Sequence, residues 1–192
     1  MEFFTWVEVI GTILNLIFLV LVIKENIWCW LFGILGSLVS IYLFIETKLY
    51  SEAILYSYYV LIAIYGWKKW KSETGKKELI VSEIRLFIHI SWIVFCIAVA
   101  IALGWIFQNY TDANNPYFDS FTTVFAFLAT YFEAVKLRSA WFYWICINGF
   151  SIWLYQIRGL EIYSYLMLIY FILSFVGLYQ WQKSYKKHLT EL

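Results

Sequence analysis

The 192-residue chain reads as an all-α integral membrane protein: seven transmembrane helices, set as two parallel three-helix repeats joined by one helix (3+1+3), N-terminus outside and C-terminus inside. Three observations predict this. First, 63% of the residues are apolar and 14% charged, with a mean hydropathy of +0.73, whereas soluble domains run near about 45–50% and 25%. Second, apolar runs of spanning length recur seven times. Third, sliding the sequence against itself by 111 residues brings two blocks into register without a gap.

A spanning helix needs about 20 mostly apolar residues. The runs fall at 5–23, 27–45, 50–67, 86–107, 119–135, 140–157 and 161–181. Met1-Glu-Phe-Phe carries no basic n-region and no small-residue cleavage site follows Ile23, so the first run is read as a retained helix rather than a signal peptide. Orientation follows from the basic residues, which are retained on the cytoplasmic side. Lys24, Lys68, Lys69, Lys71, Lys76, Lys77, Arg85, Lys136, Arg138, Lys183, Lys186 and Lys187 occupy one set of loops with the C-terminal tail; the other set holds Lys48 and Arg158.

In the self-match, Trp30 falls on Trp141, Ser40-Ile41 on Ser151-Ile152, Leu43 on Leu154, Leu49 on Leu160, Tyr59 on Tyr170, Gly66 on Gly177 and Trp70 on Trp181. The chain is thus one membrane domain, 1–192, with a first repeat at 5–70, a linker helix at 86–107 and a second repeat at 119–181. Both repeats start outside and end inside. Parallel repeats of this kind belong to small transporters whose substrate site lies between the halves near the midplane, the alternative being a duplicated scaffold that moves nothing.

Polar residues at membrane depth are costly and mark candidate sites. Trp141, Trp144 and Asn148 sit at i, i+3 and i+7 of the sixth helix, presenting two indole plates and one amide along one stripe. Such a stripe suits a flat ring with a hydrogen-bonding group, and a cationic ring would gain further from the indole quadrupole. It equally suits a Trp-lined helix contact with Asn148 as interhelical glue. Tyr56 and Tyr59 of the third helix and Tyr170 of the seventh are candidates to line a cavity, as are Thr122 and Thr123 near its outer mouth. Asn15 lies mid-span, whereas Gly33, Gly36, Ser37 and Ser40 read as a packing stripe, with Ser151 and Ser174 also as packing residues.

Other chemistry is disfavoured. Glu8, Glu52, Asp119, Glu133 and Glu161 fall near helix ends, within reach of water or headgroups, and His89 lies near the cytoplasmic end of the fourth helix as a hydrogen-bonded interfacial residue. With no deep carboxylate, uncoupled transport is expected rather than a proton relay. No HExxH, GxSxG, P-loop or paired carboxylate is present, so no enzyme, cofactor or metal is expected. The net charge of +1 excludes nucleic acid as a partner. Cys29, Cys96 and Cys146 read as packing residues. The lone proline, Pro116, is placed in the outer loop and Asp119 as N-cap of the fifth helix.

Taken together, Trp28-Cys-Trp30 with Gly33, Lys48-Leu-Tyr-Ser51 leading to Tyr65-Gly-Trp-Lys-Lys-Trp70, Asp119-Ser-Phe-Thr-Thr123 and Trp141-x-x-Trp144-x-x-x-Asn148 resemble the Pnu vitamin transporters over nearly the whole chain. The resemblance implies a seven-helix 3+1+3 fold in a bacterial inner membrane. It also implies facilitated diffusion of an unphosphorylated vitamin precursor that a cytosolic kinase traps, and carries substrate contact onto Trp141, Trp144 and Asn148. Asn148 rather than aspartate leans towards nicotinamide riboside over thiamine, whereas Tyr56 stands where a glutamine is usual. Beyond vitamin and lipid, a homo-oligomer is compatible with the chain. The rival readings are a SWEET-like sugar permease and a non-transporting scaffold.

Overall fold

The computed structural model describes residues 2–46, 50–71, 79–111, 115–159 and 161–190. Seven helices occur among them: α1 (Glu2–Ile23), α2 (Cys29–Glu46), α3 (Tyr50–Trp70), α4 (Leu86–Tyr110), α5 (Pro116–Ala134), α6 (Ala140–Ile157) and α7 (Glu161–Thr190). Lys48, Lys76, Lys77 and the Leu49/Leu160 match lie outside the described residues. Four helices, α1, α2, α4 and α7, carry windows long and apolar enough to cross a membrane. The other three are diluted by residues such as Lys68 and Lys69 in α3, Asp119 and Glu133 in α5, and Asn148 and Gln156 in α6.

Two helix ends differ from expectation. The fifth helix opens at Pro116, not Asp119: the Asp119 amide already donates to Asn115 O at 3.1 Å, so Asn115 stands at the cap and Pro116 at the first helical position, where its missing N–H costs nothing. Asp119 is therefore an acidic residue of the first turn and not the N-cap. The seventh helix runs to Thr190, well past 181, because Gln182 to Thr190 contains no breaker and Lys187 and His188 complement its C-terminal dipole.

The chain divides into two compact units, Met1–Ile80 with Glu133–Lys136, and Val81–Phe132 with Leu137–Leu192. In the first unit α1 packs on α2 and α2 on α3. The Trp30 ring is fully buried against Gly66, where a Cβ would lie 2.5 Å from the indole, and meets Trp70 edge to face at 5.3 Å and 85°. Trp70 Nε1 donates to Ala134 O (3.0 Å), and Lys136 pairs with Glu25 (3.1 Å) while lying 4.6 Å over the Trp70 ring. Gly33, Gly36, Ser37 and Ser40 are all buried, as a packing stripe requires.

In the second unit α6 packs on α7. Trp141 is fully buried against Gly177, again with 2.5 Å to a notional Cβ, and meets Trp181 at 5.5 Å and 86°. The recurrence extends to the hairpins. Glu25 (φ 53°) and Lys136 (φ 54°) are both left-handed, and each closes a Schellman motif: Glu25 N to Val22 O and Asn26 N to Leu21 O, against Lys136 N to Glu133 O and Leu137 N to Phe132 O. Every one of these partners is offset by the same 111 positions. Beneath α4, Ser82 bridges Leu137, and α4 meets α5 where Gly104 admits the Tyr117 ring.

Two side chains depart from their expected surroundings. Glu133 is 1% exposed, because the closing turn of α5 folds it inward rather than leaving it to water or headgroups. Cys146 is exposed, whereas Cys29 and Cys96 are buried as packing residues should be.

Candidate functional site

α6 carries two distinct faces. Trp141, Trp144, Asn148 and Ser151 lie along one; Tyr143, Cys146, Ile147 and Phe150 lie along another and, with His89 and Ile93 of α4 and Thr122 and Phe125 of α5, line a cavity of about 680 Å³. Of the expected binding residues, Thr122 lines this cavity, its hydroxyl donating to Asp119 O at 3.0 Å and Phe118 O at 3.2 Å. Thr123 is half-buried beside it.

The polar end of the cavity is a closed network. Glu83 accepts from Arg138 Nε at 2.9 Å and meets His89 Nε2 at 3.1 Å, while His89 Nδ1 meets the Tyr143 hydroxyl at 3.2 Å. Arg138 also donates to Gln182 and lies 4.7 Å from the Tyr185 ring centre. His89 is thus hydrogen-bonded on both nitrogens, as an interfacial histidine is expected to be. At the other end, Arg158 Nη2 donates to both Asp119 oxygens, at 2.9 and 3.0 Å, tying the start of α5 to the end of α6. One nitrogen is thus shared between both carboxylate oxygens, a charge-assisted contact.

The stripe itself divides by depth. Trp141 sits wholly inside the α6–α7 contact. Trp144 is half-buried, with Ala126, Ala129 and Ile147 behind it, and its indole N–H has no hydrogen-bond partner among the described residues. Trp30 and Trp141 share that lack, so the orphan N–H alone marks no site; what sets Trp144 apart is that it is half-buried where the other two are fully buried. Asn148 is 5% exposed, and its Nδ2 donates to Ser174 Oγ at 3.1 Å. The Ser174 hydroxyl in turn donates to Tyr170 O at 2.7 Å. Tyr170 is half-buried one turn earlier on α7.

The structure therefore links Asn148 to the Tyr170 backbone carbonyl across α6 and α7 through Ser174, which the sequence reads as a packing residue, while Trp144 packs towards Ala126 and Ala129 of α5. A signal was present: Ser174 replaces Ala63 of the first block, opposite the replacement of Ser37 by Asn148. Tyr56 and Tyr59 belong to the first unit, where their rings meet edge to face at 5.3 Å and 82°, with Phe44 at 5.2 Å from Tyr56. Among the described residues no cluster of His, Cys, Asp or Glu could hold a metal.

Comparison with known proteins places this geometry in context. The family model described as nicotinamide mononucleotide transporter matches residues 5–183. The chain is 26% identical over 201 residues to the nicotinamide riboside transporter PnuC of Escherichia coli, covering 91% of this chain and 82% of that one. It is 25% identical over 183 residues to the riboflavin/roseoflavin transporter RibM of Streptomyces davaonensis, covering 92% and 84%. A solved structure described as the vitamin B3 transporter PnuC superposes with a TM-score of 0.74 at 21% identity, over 96% of this chain and 83% of that chain. The chain belongs to the nicotinamide mononucleotide transporter family and is a multi-pass inner-membrane transporter rather than an enzyme.

Proposed function

We propose that this chain takes up nicotinamide riboside by facilitated diffusion, with phosphorylation by a cytosolic kinase as the trap. The observation that carries the reading is the Trp144/Asn148 face: a half-buried indole one helical turn from a buried amide whose nitrogen is engaged by Ser174. A pyridinium ring over Trp144 gains stacking area and cation–π attraction, and its carboxamide meets Asn148. In this reading Trp141 braces α6 on α7 and orients the stripe, while Tyr56, Tyr59, Thr122, Thr123 and Tyr170 are further proposed substrate contacts. No carboxylate of the described residues lies deep in a helix, which supports uncoupled movement.

The same proposal includes a 3+1+3 arrangement of seven spans with the N-terminus outside. The hairpins and Trp–Gly contacts that recur at one offset support parallel repeats, and the gathering of twelve of the fourteen basic residues at alternate connections and the helix ends beside them supports the orientation. Lipid contact along the exposed apolar helices and assembly with further copies of the chain belong to this reading too. A second reading, riboflavin as the solute, is favoured by the RibM relative and by Tyr56, a ring where a glutamine is usual in carriers of nicotinamide riboside.

Calorimetric titration of the purified protein with nicotinamide riboside, riboflavin, thiamine and a deoxynucleoside tests both, followed by flux into liposomes. Saturable binding of nicotinamide riboside alone, lost in Asn148→Leu, supports the first reading. Selective binding of riboflavin or thiamine overturns the vitamin and leaves a permease. Absence of flux for every ligand overturns transport.

A further inference from the structure

We infer that Ser174 is a positioning residue that sets the hydrogen-bonding sense of Asn148, so that the site requires a hydrogen-bond donor at Asn148 Oδ1 and selects a neutral carboxamide over a carboxylate. The inference rests on the proposed binding role of Trp144 and Asn148 and deepens it.

The argument is one of proton bookkeeping. A serine hydroxyl has a single proton and two acceptor lone pairs. In Ser174 that proton goes to the Tyr170 carbonyl, 2.7 Å away, an oxygen that can only accept. Ser174 Oγ can then only accept from its other neighbour, so the Asn148 atom 3.1 Å from it must be the amide nitrogen. Flipping the amide would turn the Ser174 proton from Tyr170 O to Oδ1 and exchange two hydrogen bonds for one, at 1% exposure for Ser174 and 5% for Asn148, where water compensates little. The amide is therefore held with its nitrogen on Ser174 and Oδ1 as its presented group. A carboxamide N–H or a sugar hydroxyl satisfies it. A carboxylate brings only acceptors and a negative charge to an acceptor.

The first block shows what happens without this device. The positions matching Asn148 and Ser174 are Ser37 and Ala63, both buried, with no amide to orient. Alanine at this helix position is thus compatible with the packing, and Ser174→Ala is expected to fold.

The test is calorimetric titration of the full-length protein with nicotinamide riboside and with its carboxylate analogue, nicotinate riboside. The wild type is expected to favour the carboxamide by roughly tenfold or more, the scale of one unsatisfied buried polar contact. Ser174→Ala should bring the two ligands within about threefold while keeping the thermal midpoint. The isosteric pair Ser174→Thr and Ser174→Val isolates the hydroxyl from volume: Thr should keep the preference and Val lose it. A role confined to packing would move both affinities together and leave their ratio alone. Undiminished selectivity in Ser174→Ala and Ser174→Val overturns the inference, as does a wild type that takes the carboxylate equally well. A wild type that binds neither riboside overturns the nicotinamide riboside reading and this inference with it, whereas failure of Ser174 alone leaves that reading standing.

Discussion

Around Trp30 and Trp141 the first and last three-helix segments keep the same contacts, whereas one turn further along α2 and α6 they part. Gly33 of α2 matches Trp144 of α6, and Phe18 of α1 matches Ala129 of α5. In the first segment the Phe18 ring fills the space over Gly33, where a Cβ would lie 3.0 Å from it. In the second, Ala129 vacates that space and Trp144 occupies it. The next pair repeats the exchange: Asn15 leans on Gly36, with 2.6 Å to a notional Cβ, while Ala126 packs with Ile147. Bulk sits on the first helix of one segment and on the second helix of the other. The frame at the helix ends is held in common, and the middle of the second helix is free to differ, with small residues in α2 and large ones in α6.

The comparison can be broken most forcefully at the shared frame. Gly66→Ala and Gly177→Ala each drive a methyl into a fully buried indole, and each should destabilise by about 3 kcal/mol, at the upper end of overpacking costs. Thermal unfolding in detergent should show the two losses equal within about 1 kcal/mol; one silent substitution would mean that the two frames are not equivalent.

The exchanged pair comes next. Phe18→Ala should cost about 2 kcal/mol, less than in a water-soluble core because lipid-facing chains lose packing contacts without a transfer term. Gly33→Phe should destabilise alone and rescue Phe18→Ala in the double variant, recreating the second segment's arrangement in the first. Additive losses in that double-mutant cycle would show that the two positions do not share one space.

The smaller effects sharpen the difference between the segments. Trp144→Phe should weaken ligand binding several-fold with little change in thermal stability, since a smaller ring still fills the space over Ala129. An unchanged dissociation constant would assign Trp144 to packing. Smallest of all, Glu25→Gln removes one partner of the partly exposed Lys136 pair, and the thermal midpoint should reflect less than about 1 kcal/mol, because Lys136 keeps its place over Trp70.

How much was legible beforehand follows from what periodicity can carry. The positions of seven helices, the repeat offset and the Trp–Gly register are properties of spacing along one chain, and the sequence contained them. Asp119 was misread as a cap because an acidic residue favours both the cap and the first turn. The Asn115–Pro116 pair upstream was the stronger signal, with proline at the first helical position. Trp141 and Trp144 look alike in the stripe, since i and i+3 share a face; only the tertiary neighbours separate a ring sealed against Gly177 of α7 from one half-buried against Ala126 and Ala129 of α5.

By itself, then, the sequence determined a membrane protein of helical blocks matched at a fixed offset, because hydropathy and self-similarity are one-dimensional quantities. Only the tertiary structure decided which stripe residue is sealed, that Glu133 is buried while Cys146 is exposed, and that Ser174 holds Asn148. Those outcomes depend on which helix lies across the contact and on where a single hydroxyl proton goes, and neither is written in the spacing of residues along one helix.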